Sequence, residues 1–205
     1  TGAGKTVLAL AIMQQLQEEN RNLHVAIVVP SIVLMEQWYQ EIVANSNLQP
    51  WTVGRLGGGY TDSYADGMRV LICVLKSAAV HLPKIASGSE ITENLLLVVD
   101  ECHRAGSTEM SKVFATRRTY TLGLSATPER EESVAAVDDS DEEAASSIAD
   151  YSTSILGNEL GPIIYDMTLS QADAMGLLPT FTIYHYGLPL TPDEKTQYDA
   201  LSAEI

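Results

Sequence analysis

Thr1-Gly2-Ala3-Gly4-Lys5-Thr6, at the start of the chain, is the stretch that decides the fold. Gly2 and Gly4 let a backbone wrap a phosphate where a Cβ would block it, and the N–H groups of such a loop and of the helix it opens point at the anion. In that frame Lys5 bridges the β- and γ-phosphates and Thr6 offers a hydroxyl to Mg²⁺. Thr1 and Ala3 lie in the loop itself, where Thr1 can reach phosphate by its hydroxyl or N–H. The bland alternative is a glycine turn that caps a helix, but Gly-x-Gly-Lys-Thr opening a helix is rarely accidental. The usual pattern has a further loop residue five positions before Gly4. The first half of the loop and the strand leading into it are therefore expected before residue 1, and the chain is read as a fragment.

Outward from the loop, strands alternate with helices. Thr6 to about Glu19 carries Val7, Leu10, Met13 and Leu16 at the spacing of one buried helix face. His24 to Val29, Val70 to Leu75 and Leu95 to Val99 are short continuous apolar runs, expected for strands covered on both faces of a parallel sheet. Between them Ser31 to about Ala44 reads as a helix capped by Ser31, and Lys76 to about His81 as a shorter helical stretch. Arg118 to Leu124 is expected to be a fourth strand. This is an α/β open-sheet pattern, in which ligands sit beyond the carboxyl ends of the strands.

Two further motifs fall on those ends. Asp100-Glu101-Cys102-His103 follows the buried run Leu95 to Val99. A hard cation takes oxygen ligands, which suits Asp100, directly or through water, and leaves Glu101 to polarise an attacking water as general base. His103 would reach the γ-phosphate side and a residue of the next motif. Taken alone, Asp-Glu after a strand is commonly a solvated loop; paired with the lysine loop it reads as catalytic. Ser125-Ala126-Thr127-Pro128 places two hydroxyls beside the acidic pair, where Ser125 and Thr127 would sense the γ-phosphate; an ordinary Ser/Thr turn before proline is the alternative.

With 205 residues, 45% hydrophobic, the chain can bury a full core. No apolar run approaches the roughly 20 residues that cross a bilayer. Cys73 and Cys102 are the only cysteines, so neither a disulfide framework nor a zinc spacing is available. A protein of the cytoplasm, nucleoid-associated if prokaryotic, is the expectation, with no membrane partner. Twelve basic against 27 acidic residues give a net charge of −15, which argues against a nucleic-acid binder, because phosphate contacts want a basic stripe. Part of that excess is one cluster from Glu129 to Asp150, and main-chain N–H groups and hydroxyls can also grip a phosphate backbone. Adaptation to high salt is another source of such acidity. Glu131 to Asp150 reads as a mobile acidic excursion ending in a helix, Ile163 to Met167 as an edge strand, and Ser170 to Met175 as a short helix ended by Gly176. Phe181 to Leu188 reads as a strand leaving the domain, and Thr191-Pro192-Asp193-Glu194 as a helix start.

Thr1 to Thr6, Val29-Pro30-Ser31 running into Leu34-Met35-Glu36-Gln37-Trp38, Asp100 to His103 and Ser125 to Pro128 resemble, in order, motifs I, Ia, II and III of superfamily 2 helicases. Within that superfamily, Gly161-Pro162-Ile163-Ile164-Tyr165, Ala174 to Pro179 and Leu190-Thr191-Pro192 look like the xeroderma pigmentosum group B type, with restriction motors similar over much of the same domain. Arg130-Glu131-Glu132 is similar to the Arg-Glu-Asp signature of that type, its last acid longer by one methylene. The resemblance implies a RecA-like P-loop nucleotidase fold with a mainly parallel sheet flanked by helices. Residues 1–130 would be the core of a first RecA-like domain, 131–160 the acidic excursion, and 161–205 the end of the domain leading to a second RecA-like domain outside this chain.

It further implies ATP and Mg²⁺ as ligands and nucleic acid, with DNA expected, as the track. Pro30 and Ser31 would touch its backbone, with Gly57 and Gly58 in the motif Ib region and Ser77 at the next strand end. The plain alternative for the glycines is a hairpin. Trp38 and Trp51 are aromatic enough to stack on bases, but Trp38 falls in a helical pattern with Leu34 and Ile42 that favours core packing. Three functions stay open: an ATP-driven DNA helicase or translocase, with repair as a setting; a duplex-pumping motor subunit of a restriction or phage-defence complex; and a nucleotide-gated nucleic-acid clamp that does not translocate. An unrelated P-loop kinase would leave Ser125 to Pro128 unexplained.

Overall fold

The computed structural model of the chain describes residues 4–126, 151–177 and 191, 194 and 195. The chain divides into two compact units, Thr1–Met167 and Thr168–Ile205. In chain order the first contains α1 (Lys5–Glu19), β1 (His24–Val29), α2 (Ile32–Asn45), β2 (Val53–Gly57), β3 (Tyr60–Thr61), β4 (Val70–Val74), α3 (Leu75–Gly88), β5 (Leu95–Asp100), β6 (Tyr120–Leu124) and α4 (Ile155–Leu160).

The described strands form a six-stranded sheet in the order β3-β2-β4-β1-β5-β6, parallel except for the β2–β3 hairpin. Each apolar run becomes an interior strand because helices cover both faces, so every position along it needs an apolar side chain. All six residues of β5 are buried. Alternation then deals the side chains to two cores. Ala26, Val28, Leu71, Cys73, Leu95 and Leu97 pack with Ala78, Leu82 and Ala86 of α3 and with Val113 and Phe114. Val25, Ile27, Val29, Ile72, Leu96 and Val98 pack on the other face with Ala9 and Met13 of α1 and Met35, Trp38 and Ile42 of α2.

Several boundaries differ from the sequence reading. The buried stripe of α1 runs through Ala9 and Met13, and Val7 and Leu8 are exposed. Helix α3 continues to Gly88 with Pro83 inside it. Proline there removes one main-chain hydrogen bond; burial of Leu82 and Ala86 against the sheet holds the later turns in place. β6 starts at Tyr120, because Arg118 is drawn into other bonds. Strand β2 had no separate prediction: Gly54 and Gly57 interrupt its apolar run.

Of the span 131–160 expected to be an acidic excursion, residues 151–160 are described. Residues 151–160 belong to the first unit, where Leu156 is buried in the core and Ser154 caps α4 by accepting the Gly157 N–H. Residues 163–167 form no strand; Ile164 and Tyr165 are largely exposed, and among the described residues no strand pairs with them. In the second unit, α5 (Leu169–Ala174) starts with a capping box between Thr168 and Gln171, and Gly176 takes a positive φ of 67° just after it. Thr191 and Glu194 bond each other in the manner of a helix start, as the sequence suggested. The expected strand from Phe181 to Leu188 lies outside the described residues, as do residues 127–150. Among the described residues no helix is long and apolar enough to cross a membrane.

Candidate functional site at the carboxyl edge of the sheet

Register brings the ends of β1, β4, β5 and β6 to one edge: Val28 aligns with Cys73 on one side and Val99 on the other, and Asp100 aligns with Leu124. The residues that follow each strand are therefore neighbours, however far apart in sequence. Gly4, with φ 77°, turns the chain into α1, and Lys5 is that helix's first residue. The Lys5 ammonium lies 3.6 Å from Glu101 Oε1. His103 Nδ1 lies 3.6 Å from Glu101 Oε2 and forms a 3.0 Å hydrogen bond with Ser125 Oγ. Lys5, Glu101, His103 and Ser125 thus form one chain of contacts across three motifs, and His103 does reach the next motif as expected. A carboxylate between an ammonium and an imidazole can accept a proton from water while an anion sits on the lysine side.

Glu101 is held in a left-handed conformation, φ 49° and ψ 52°, an uncommon choice for a residue with a Cβ. Its carboxylate lies by Lys5 and His103. Asp100 points back into the protein and is only 9% exposed. Its Oδ1 accepts the Glu101 N–H at 3.0 Å and its Oδ2 accepts the indole N–H of Trp38 at 2.9 Å. The two carboxylates thus have different partners: Asp100 is bonded to the indole and the main chain, Glu101 lies by Lys5 and His103. Trp38 itself is buried, as its helical pattern predicted, whereas Trp51 is exposed. The bond to Asp100 was not foreseen, although a buried indole N–H usually has an acceptor somewhere.

The donor set suits a magnesium ion that arrives with a nucleotide. Thr6 is half-buried at the start of α1, and among the described residues no group of three or more His, Cys, Asp or Glu could cage a metal. Magnesium commonly takes one or two protein oxygens and completes its shell with phosphate and water, so Thr6 and Asp100 are the residues that would hold one. Cys102, next to the site, is buried, and burial pushes its thiol up to about 11, which disfavours the thiolate. Thr1, Gly2, Ala3 and Thr127 lie outside the described residues.

A second cluster lies along the same edge. Ser31 caps α2 by accepting the Leu34 N–H at 3.3 Å, which leaves its hydroxyl proton available, and Pro30 precedes it, half-buried. Gly58 and Gly59, both at positive φ, make the two-residue turn of the β2–β3 hairpin. Gly58 is exposed with Ile32 beside it, since a Cβ there would stand 3.0 Å from the isoleucine. Gly57 differs from expectation: it is buried, and a Cβ would meet Ser77 Oγ at 2.8 Å and Val74 at 2.9 Å. Gly57 is a spacer that lets Ser77 approach the hairpin, and Gly58 is the exposed glycine beside it. Pro30, Ser31, Gly58 and the half-buried Ser77 thus share the ends of β1, β2 and β4.

A phosphate-loop helix start, an acidic pair after the central buried strand and a hydroxyl after the neighbouring one define a RecA-like nucleotidase domain of the helicase class. The family model described as "Type III restriction enzyme, res subunit" matches residues 1–130. The chain belongs to that family, and is a first RecA-like domain of superfamily 2, similar to that of XPB-like proteins. Over its whole length it is 29% identical to the DNA 3'-5' translocase XPB2 of Sulfurisphaera tokodaii, of which it spans 39%. Among solved structures, the helicase domain of Hef from Pyrococcus furiosus has the same fold, with a TM-score of 0.55 and 22% identity over 79% of this chain and 32% of that one.

Proposed function

We propose that this chain is the ATP-binding half of a DNA motor, and that the contacts joining Lys5, Glu101, His103 and Ser125 are its hydrolytic centre. The observation that carries the reading is that three motifs separated in sequence meet within 3.6 Å at one sheet edge. Loop N–H groups and Lys5 would hold the β- and γ-phosphates at the start of α1, with Gly2, Ala3 and Gly4 forming the cradle and Thr1 beside it. Water would attack the γ-phosphorus while Glu101 takes its proton, and the bond to the bridging oxygen breaks to leave ADP and phosphate. Thr6 and Asp100 would hold Mg²⁺, which when bound neutralises charge on the phosphate oxygens. Ser125, with Thr127, would report the γ-phosphate through His103.

Pro30, Ser31, Gly58 and Ser77 would carry one strand's phosphate backbone, with Gly57 setting their spacing. They offer hydroxyls and main-chain N–H groups, donors an acidic chain can present without a basic stripe. The relative named as a DNA translocase supports DNA as the track. A second RecA-like domain would add an arginine finger, typically worth roughly 10³ to 10⁵ in rate, so the isolated chain should turn over slowly. The family's restriction-subunit description favours one further reading, a motor that pumps duplex without separating it.

The deciding experiment measures ATP turnover by the full-length protein with no polymer, single-stranded DNA, duplex DNA and RNA, beside Glu101→Gln. Stimulation by DNA that disappears in the variant is expected, and preference for duplex without strand displacement would select the pumping reading. Turnover indifferent to every polymer would sink the motor.

A further inference from the structure

Asp100 is held in an unusual way for a charged group this deeply placed. Among the described residues it makes no ion pair; its two oxygens are bonded by two neutral donors, the Glu101 N–H and the Trp38 indole N–H. Neutral donors fix the direction of a carboxylate while leaving its negative charge uncancelled, whereas a lysine or arginine would spend that charge. Each oxygen keeps a further lone pair.

The indole comes from 62 residues away, on a different element, so this contact is a product of the tertiary fold. Trp38 is 2% exposed and packed among the side chains of α2 and the sheet, and its ring has no room to turn away. Helix α2 also begins at Ser31 and lies against the hairpin through Ile32. One rigid element therefore spans from the proposed DNA edge to the carboxylate, about 10 Å at 1.5 Å per residue.

We infer that Trp38 is a positioning residue for the divalent cation: its indole N–H aims the Asp100 carboxylate, and losing that bond weakens cation binding without weakening the grip on the nucleotide itself. The inference rests on the ATPase reading above. Partners of this outer kind typically matter about 10- to 100-fold in metal affinity.

The test uses the full-length protein as wild type, Trp38→Phe and Ile42→Ala. Ile42→Ala opens a cavity in the same buried face of α2 but keeps the indole bond. Mn²⁺ binding in the presence of ADP, read by electron paramagnetic resonance, and the Mg²⁺ concentration at half-maximal turnover are compared with nucleotide binding in EDTA. Trp38→Phe should raise the Mn²⁺ dissociation constant about tenfold or more, leave binding in EDTA unchanged, and differ from Ile42→Ala, which should lower only the melting temperature. Should Trp38→Phe fail to fold, β-(3-benzothienyl)alanine at position 38 replaces the N–H by sulfur and keeps the ring outline.

An unchanged Mn²⁺ constant, or an equal rise in Ile42→Ala, would overturn the positioning role. A wild-type protein that turns over no ATP with any divalent cation would instead overturn the underlying ATPase reading, so the two failures are distinguishable.

Discussion

Glu101 is where residue chemistry and backbone geometry conflict. A left-handed conformation costs an L-residue roughly 1–2 kcal/mol, yet the position needs a carboxylate directed at Lys5 and His103. Glycine would adopt the same φ and ψ without strain, at a cost of about 0.5–1 kcal/mol in extra unfolded-chain entropy. Glu101→Gly is therefore expected to hold or raise stability by up to about 1 kcal/mol in denaturant unfolding while abolishing ATP turnover. A clear loss of stability would show that Glu101 pays no strain here. Glu101→Gln, which keeps the Cβ, should leave the unfolding midpoint nearly unchanged. The motif was legible because Asp-Glu follows a buried run; the strain was not, because glutamate is not a residue that signals positive φ.

Among the elements, α2 has the most to do. Its N-cap was readable from Ser31, and the hydroxyl does accept the Leu34 N–H. Ser31→Ala should cost about 1 kcal/mol by loss of the cap, measured by thermal or urea unfolding, and should also weaken DNA binding if the hydroxyl proton goes to phosphate. Ser31→Asp separates the two effects: it restores the cap, so stability should return, while its charge repels phosphate and DNA binding should stay weak. Recovery of both would place Ser31 off the track. Helix α3 teaches the opposite lesson, since Pro83 is a local stop signal that burial of Leu82 and Ala86 overrides. The β2–β3 hairpin was visible as three consecutive glycines, but nothing local distinguished a turn from a contact surface. The close approach of Ser77 explains why position 57 is a glycine.

At the scale of the molecule, the return of the chain at 151–160 depends on Arg118. Its guanidinium donates to the carbonyls of Phe114, Thr116 and Glu159, to the Glu159 carboxylate at 2.7 Å and to the Thr121 hydroxyl. The Glu159 side chain is partly exposed, so the ion pair itself contributes little; leaving several half-buried carbonyls without a donor is the larger cost. Arg118→Met should therefore lower stability by about 2–3 kcal/mol and speed hydrogen exchange in α4 far more than in β5. Equal exchange in both would mean that α4 is held by Leu156 alone.

The parallel core, the phosphate loop and the acidic motif belong to the sequence because each is a local pattern: a continuous apolar run, a glycine spacing, a carboxylate at a strand end. Only the tertiary structure could join Trp38 to Asp100, seat Gly57 beneath Ser77 and dock 151–160 through Arg118. Those contacts link residues distant along the chain, and strand register with helix packing, rather than any nearby residue pattern, brings them together.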